Sequence, residues 1–236
     1  MKLHRFIGEY NLSKKEVEIT DSKIINQIKA VLRLKKGDKI ILSDGKGQSG
    51  EIILDIVSTN KITGTISKIN LPADAESFGE ARKVDLYLSI LKKENFELAV
   101  QKAVEAGVSN ITPIITERTI KTGLNVLRLE KIILEASEQC GRNIVPALSP
   151  ILDFKNALID GAKNEEKIIF HLNGEKFHPS TSSGQISIFV GPEGGFTSKE
   201  IILAKENGYT IVSLGPLTLR GETAAIIATY RAVQGI

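Results

Sequence analysis

Along the first 70 positions the apolar residues recur with the two-residue period of strands. Strand-like runs fall at Leu3–Ile7, Lys39–Leu42, Gly50–Val57 and Lys61–Ile69. Asp44-Gly45 and Thr59-Asn60 punctuate them with turn chemistry. One stretch changes period. Ile24, Ile25, Ile28, Val31 and Leu32 share a stripe and predict a helix over Ser22–Leu32. Several short strands with a single helix predict a small β-barrel.

From 72 to 81 the pattern lapses into a stretch with Pro72, Gly79 and alternating charges, read as a linker between domains 1–71 and 82–236. Strands and helices then alternate. Strands are predicted at 84–90, Ile111–Ile115, Lys167–Leu172, Ile186–Val190 and Thr210–Leu214. Helices are predicted at Asn95–Ala106, with Gly107 as its terminating glycine, at Val126–Cys140, and at Glu222–Val233. Thr197 opens a further helix, with Glu200 three residues on as a capping box and Gly208 at its end. This rhythm predicts an α/β domain around a mainly parallel sheet. Ser180–Gly184 (STSSG) reads as a short polar loop.

Composition narrows the class. With 42% hydrophobic and 25% charged residues among 236, the chain is neither disordered nor collagen-like. No run of apolar residues is long enough to cross a membrane, and MKLHRFIGEY does not read as a signal peptide. The single cysteine, Cys140, permits no disulfide framework and no multi-cysteine zinc site, and fits a reducing, cytoplasmic setting. His4, His171 and His178 lack the spacing of a helical metal pair, so no metal is expected. The net charge of +3 is uneven: residues 1–71 carry 13 Lys/Arg against 8 Asp/Glu, and residues 72–236 carry 18 against 20. The basic amino-terminal module is either a solvated surface or the footprint of a polyanion.

Two strand ends stand out. Ile186–Val190 runs into Gly191-Pro192-Glu193-Gly194-Gly195-Phe196, and Thr210–Leu214 runs into Gly215-Pro216-Leu217-Thr218-Leu219-Arg220-Gly221-Glu222. Parallel sheets bind ligands at the carboxyl ends of their strands, and glycines let a ligand approach the backbone. The loops are either tight turns or, as loops after neighbouring strands, a ligand cradle. A phosphate ligand fits poorly, since there is no G-x-x-x-x-G-K-[ST] or G-x-G-x-x-G and Glu193 would repel an anion. An acidic, glycine-rich pocket suits a ligand with cationic character and an adenine edge, such as S-adenosylmethionine.

At these residues the chain becomes recognisable. FVGPEGGF at Phe189–Phe196 and SLGPLTLRGETA at Ser213–Ala224 resemble motifs of the SPOUT class of methyltransferases. The chain is most similar to the RsmE family, which methylates N3 of one uridine in 16S ribosomal RNA. Glu138-Gln139-Cys140-Gly141-Arg142, Val31-Leu32-Arg33-Leu34 followed by Gly37-Asp38, and His4-Arg5-Phe6 resemble that family's further signatures. The resemblance implies a PUA-like β-barrel followed by a trefoil-knotted SPOUT domain. Knots are nearly absent from proteins, so a strand count would not find one. The resemblance also implies a homodimer and a substrate in the small ribosomal subunit. Carried over, Gly191, Pro192, Glu193, Gly194 and Gly195 would line the methyl donor with Leu214, Gly215 and Leu219, and Leu172 would stand at a third strand end. Arg220, Glu222, Thr223 and Ala224 would brace the second loop.

For that reaction N3 must lose its proton and the uracil anion needs a cation. Arg142 is the expected cation; otherwise it forms a helical ion pair with Glu138, four residues earlier. Glu193 is either the base, an orienter of the donor, or a cap on the next turn. Arg220 would hold the glycine loop through Glu222 or take part in catalysis. Cys140 is expected to be a small buried residue, since attack by N3 needs no thiolate adduct. Arg5, Lys14, Lys15, Lys29, Arg33, Lys35, Lys36 and Arg142 would contact RNA. With no Trp and 4 Tyr, the target would be read by shape, with one extruded uridine. The rival readings are a methyltransferase for another RNA such as transfer RNA, a non-catalytic RNA-binding factor, and a nucleotide-binding enzyme.

Overall fold

A computed structural model describes residues 3–70, 82–92, 94–178 and 184–236. The expected linker at 72–81 lies outside them, as does most of the STSSG stretch. The chain divides into two compact units. One joins residues 1–79 to Ser137–Val145, and the other holds 80–136 and 146–236. Grouping the EQCGR segment with the amino-terminal unit was not apparent from the sequence.

The first unit contains β1 (His4–Ile7), β2 (Glu16–Ile19), α1 (Ser22–Asn26), β3 (Lys39–Ser43), β4 (Ser49–Val57) and β5 (Ile62–Asn70). Its sheet has the order β1-β3-β4-β5-β2, antiparallel except where β1 runs parallel to β3. β2 was missed in the sequence, although Val17 and Ile19 alternate with Glu16 and Glu18 and are buried. Asp21 starts α1 by accepting from the Lys23 and Ile24 amides. The predicted helix does not continue as one stripe. Gln27–Val31 is a π-helical turn, in which the Leu32 amide reaches back five residues to the Gln27 carbonyl at 2.9 Å. Ile25 and Ile28 stay in the core while Val31 is carried off the face and is 67% exposed. The helical segment packs its isoleucines with Phe6, Leu12, Ile40, Leu42, Ile52, Leu54 and Ile62.

The second unit comprises β6 (Val84–Ser89), α2 (Asn95–Ala106), β7 (Asn110–Ile115), most of α3 (Val126–Cys140), β8 (Ala147–Leu148), β9 (Leu152–Asp153) and α4 (Phe154–Gly161). It continues with β10 (Glu166–Lys176), β11 (Ile186–Val190), α5 (Ser198–Glu206), β12 (Thr210–Ser213) and α6 (Gly221–Gln234). Its sheet runs β12-β10-β11-β6-β7-β8, with β9 also on β7, and every pairing is parallel. β11 is buried along its whole length, as a central parallel strand should be. Phe189 stacks on Tyr87 with ring centroids 4.3 Å apart and meets Phe154 and Tyr209 edge-on. α4 was missed in the sequence; Asp153 caps it, and Phe154, Ala157, Leu158 and Gly161 form its buried stripe. The capping box at Thr197 and Glu200 is present as expected. α6 buries small residues, Ala225, Ala228 and Ala232, which lets it approach the sheet closely. Among the described residues, no helix is long and apolar enough to cross a membrane, and no group of three metal-ligating side chains could hold a metal ion.

Candidate functional site

A cavity of about 800 Å³ opens at the carboxyl ends of β12, β10, β11 and β6, and all its lining residues belong to the second unit. It is roomy enough for a nucleoside-sized ligand. Both glycine loops line it, but their strands are not neighbours as the sequence suggested: β10 lies between β11 and β12. β10 therefore supplies a third wall. It pairs Phe170 with Val212, then resumes at Glu175, again opposite Val212. The residues between are looped out, and His171, Leu172 and Asn173 line the cavity. Gly174 makes this possible, since a Cβ there would collide with the Val212 backbone.

The first glycine loop is fixed from several sides. The Gly195 amide closes a turn on the Pro192 carbonyl at 2.8 Å, and Gly195 takes a φ of +66°, which favours glycine. Phe196 buries its ring in the core, anchoring the far end. The Glu193 carboxylate is exposed and does not cap its own turn; its Oε1 accepts from the Lys92 amide, beyond β6, at 2.9 Å. Arg118, in the loop after β7, donates from Nη1 to the Gly194 carbonyl at 2.6 Å. Buried Glu200 secures that neighbourhood, accepting the Glu117 amide on Oε1 at 2.9 Å and the Thr197 amide on Oε2 at 2.8 Å. One capping carboxylate thus links α5, the exit of β7 and the end of the glycine loop.

The second loop is tied at its start, where the Gly215 amide donates to Ser213 Oγ at 3.2 Å. Gly221 then begins α6 hard against Leu91, which lies 2.7 Å from where a Cβ would stand. Arg220 is exposed and forms no ion pair with Glu222, so the expected brace between them is not present. Glu222 is only 7% exposed, lines the cavity, and leaves Oε2 without a hydrogen-bond partner among the described residues.

Of the donor-site residues carried over from the family, Leu172, Gly191, Pro192, Glu193, Gly194, Gly195, Leu214, Gly215, Leu219, Arg220, Glu222 and Ala224 line this cavity. Thr223 does not, because the first turn of α6 rotates it away from Glu222 and Ala224. Lys92, Asn95 and Arg118 line it and were missed. Their signal was available: they follow β6 and β7, whose carboxyl ends open on the same side as the glycine loops.

Arg142 lies in the first unit and does not line the cavity. α3 ends at Cys140, and Gly141 follows with a φ of +91°. Arg142 therefore lies just past the end of the helix. Its Nε donates to the Ile144 carbonyl at 3.2 Å, and desolvation lowers its pKa from the ordinary value. Glu138 accepts the Ile7 amide at 2.8 Å. Cys140 is half-buried, with Sγ 3.7 Å from the Ser137 carbonyl. Lys14, Lys15, Lys29, Arg33, Lys35 and Lys36 are exposed, while Arg5 is half-buried and donates to Asn143 Oδ1.

Residues 79–233 match the RNA methyltransferase domain family. Ribosomal RNA small subunit methyltransferase E of Rickettsia conorii is 30% identical, covering 97% of this chain and 94% of the relative. Ribosomal RNA small subunit methyltransferase E 2 of Borreliella burgdorferi is 32% identical, covering 96% of each. The crystal structure of a ribosomal RNA small subunit methyltransferase E from Neisseria gonorrhoeae bound to S-adenosylmethionine superposes with a TM-score of 0.84 at 32% identity, covering 97% of this chain and 95% of that one. The chain belongs to the ribosomal RNA small subunit methyltransferase E family.

Proposed function

We propose that this chain transfers the methyl group of S-adenosylmethionine to N3 of one uridine in the 16S RNA of the small ribosomal subunit. The observation that carries the reading is the cavity itself: glycine loops at parallel strand ends, with a buried carboxylate short of a partner. That chemistry fits a cationic adenosyl ligand and repels a phosphate. The family relative solved with the same donor supports it.

When bound, the donor supplies an activated methyl on a sulfonium. The residues of the chain do the rest. Gly191–Gly195 and Leu214–Leu219 would hold it through main-chain groups, with Leu172 in the third wall. The passage of the chain from β11 to β12 across β10 supports the trefoil knot that the resemblance implies. Glu193 keeps Oε2 free when Oε1 holds the Lys92 amide, and its exposure lets the N3 proton pass on to water. Within the cavity, Arg118 spends one donor on Gly194 and retains others for a uracil carbonyl. Arg142 rests on the resemblance alone. Loss of the cation that faces the anion should cost about 100-fold or more in turnover, so Arg118→Ala set beside Arg142→Ala tells which it is. The exposed lysines and Arg33 of the first unit would bind RNA phosphates, making affinity salt-dependent. The protein is proposed to act as a cytoplasmic homodimer, which sedimentation and fractionation test.

The decisive assay supplies small ribosomal subunits from a strain lacking the activity and scores the modified nucleoside by mass spectrometry. Appearance of N3-methyluridine in 16S RNA is expected. Label in transfer RNA instead, or no transfer with intact subunits, would overturn the reading.

A further inference from the structure

Cavity-lining carboxylates in this protein are of two kinds. Glu193 is exposed and already receives the Lys92 amide. Water around it screens its charge. Glu222 is 7% exposed, its Oε2 is sealed from water, and no hydrogen bond or ion pair reaches that oxygen among the described residues. Lys92, Arg118 and Arg220 line the same cavity, yet none pairs with it.

A buried charge without a partner is unfavourable, and proteins rarely keep one unless a ligand completes it. Glu222 sits in the first turn of α6, at the positive end of the helix dipole. No helix amide donates to Oε2. Its attraction to a cation entering the cavity acts in a poorly hydrated place, where charge pairs are strong.

Resting on the donor reading above, we propose that Glu222 is the counter-charge of the donor's sulfonium, and that it makes the cavity prefer the charged donor over its neutral-sulfur product. N3, once its proton has left to a base or water, forms a bond to the methyl carbon. The carbon–sulfur bond breaks and its electron pair returns to sulfur. The sulfonium becomes a thioether and loses its charge, while the amino-acid ammonium of the ligand is unchanged. A carboxylate facing the sulfur therefore holds the donor and lets the product go, whereas one facing the ammonium would hold both alike.

The test is calorimetric titration of the full chain with S-adenosylmethionine, with S-adenosylhomocysteine, and with an analogue carrying a protonated amine in place of the sulfonium. In the natural protein, the two cationic ligands should bind about tenfold or more tightly than the thioether, a difference of about 1.4 kcal/mol. In Glu222→Gln that preference should collapse, with donor affinity falling and thioether affinity nearly unchanged. Equal losses for all three ligands, or an unaltered preference, would overturn the proposal. So would a natural protein that binds the thioether as well as the donor, a result that needs no variant and is immune to misfolding. If the natural protein binds none of the three, the donor reading itself fails, which is a separate outcome.

Discussion

In the amino-terminal unit, β3, β4 and β5 follow one another along the sequence and across the sheet as antiparallel neighbours. In the second unit every pairing is parallel, so each connection must cross back to the start of the sheet, and helices carry most of these crossovers. Short turns close the first kind of sheet and leave little backbone over. Crossover connections leave every strand with a free carboxyl end on one side, and there the loops that build the cavity accumulate. The first unit holds itself together with an aliphatic core and a helix cap. The ligand-facing edge of the second depends on polar contacts between loops, namely Glu200, Arg118 and Glu193, and on close backbone approach at Gly174.

That contrast can be broken by mutation. The largest effect should come from Gly174→Ala, which drives a methyl into the Val212 backbone and should cost about 3 kcal/mol of stability along with donor affinity. Gly123→Ala, with nothing within 4 Å, should stay within about 0.5 kcal/mol. Denaturant unfolding and calorimetry check both. Glu200→Ala should come next, at about 2 kcal/mol, because the Glu117 and Thr197 amides lose a charged acceptor. Faster hydrogen exchange at those two amides, together with weaker donor binding, is the expected pattern; unchanged donor binding would separate the capping box from the site. Asp21→Ala should cost about 1 kcal/mol by uncapping α1, and leave donor affinity as it was. A fall in that affinity would break the division between the two kinds of unit.

The smallest effect concerns pH. Asp153, capping α4, has its carboxyl held below the ordinary value, chiefly by the Asn156 amide. A depressed carboxylate contributes stability that is present above its unfolded value and lost as the pH falls through the folded one. Melting curves of the natural protein and Asp153→Asn, which keeps a capping oxygen, should therefore converge in acid.

Periodicity sufficed for five strands of the parallel sheet, though not for the two-residue β8 and β9, because a buried strand such as Ile186–Val190 and a striped helix such as Asn95–Ala106 advertise themselves. It failed where hydrogen bonding changed the winding, so Val31 points away from the stripe it seemed to complete. β2 and α4 were legible but too short to press their claim. Of the site, the glycine loops announced themselves by composition. Arg118 did not, since a lone arginine after a strand is marked only once that strand's end is known to face the loops. Nor could the sequence say that β10 separates the two loop-bearing strands, because strand order is set by packing of the crossovers rather than by any local pattern.

That intervening strand has a metric consequence. Hydrogen-bonded strands lie about 4.8 Å apart, so the roots of the two glycine loops stand about 9.6 Å from each other. The gauge is fixed by amide-to-carbonyl bonding and not by the girth of any side chain. Substitutions that repack the interior should leave the slot's breadth alone, while altering β10 itself would reset it.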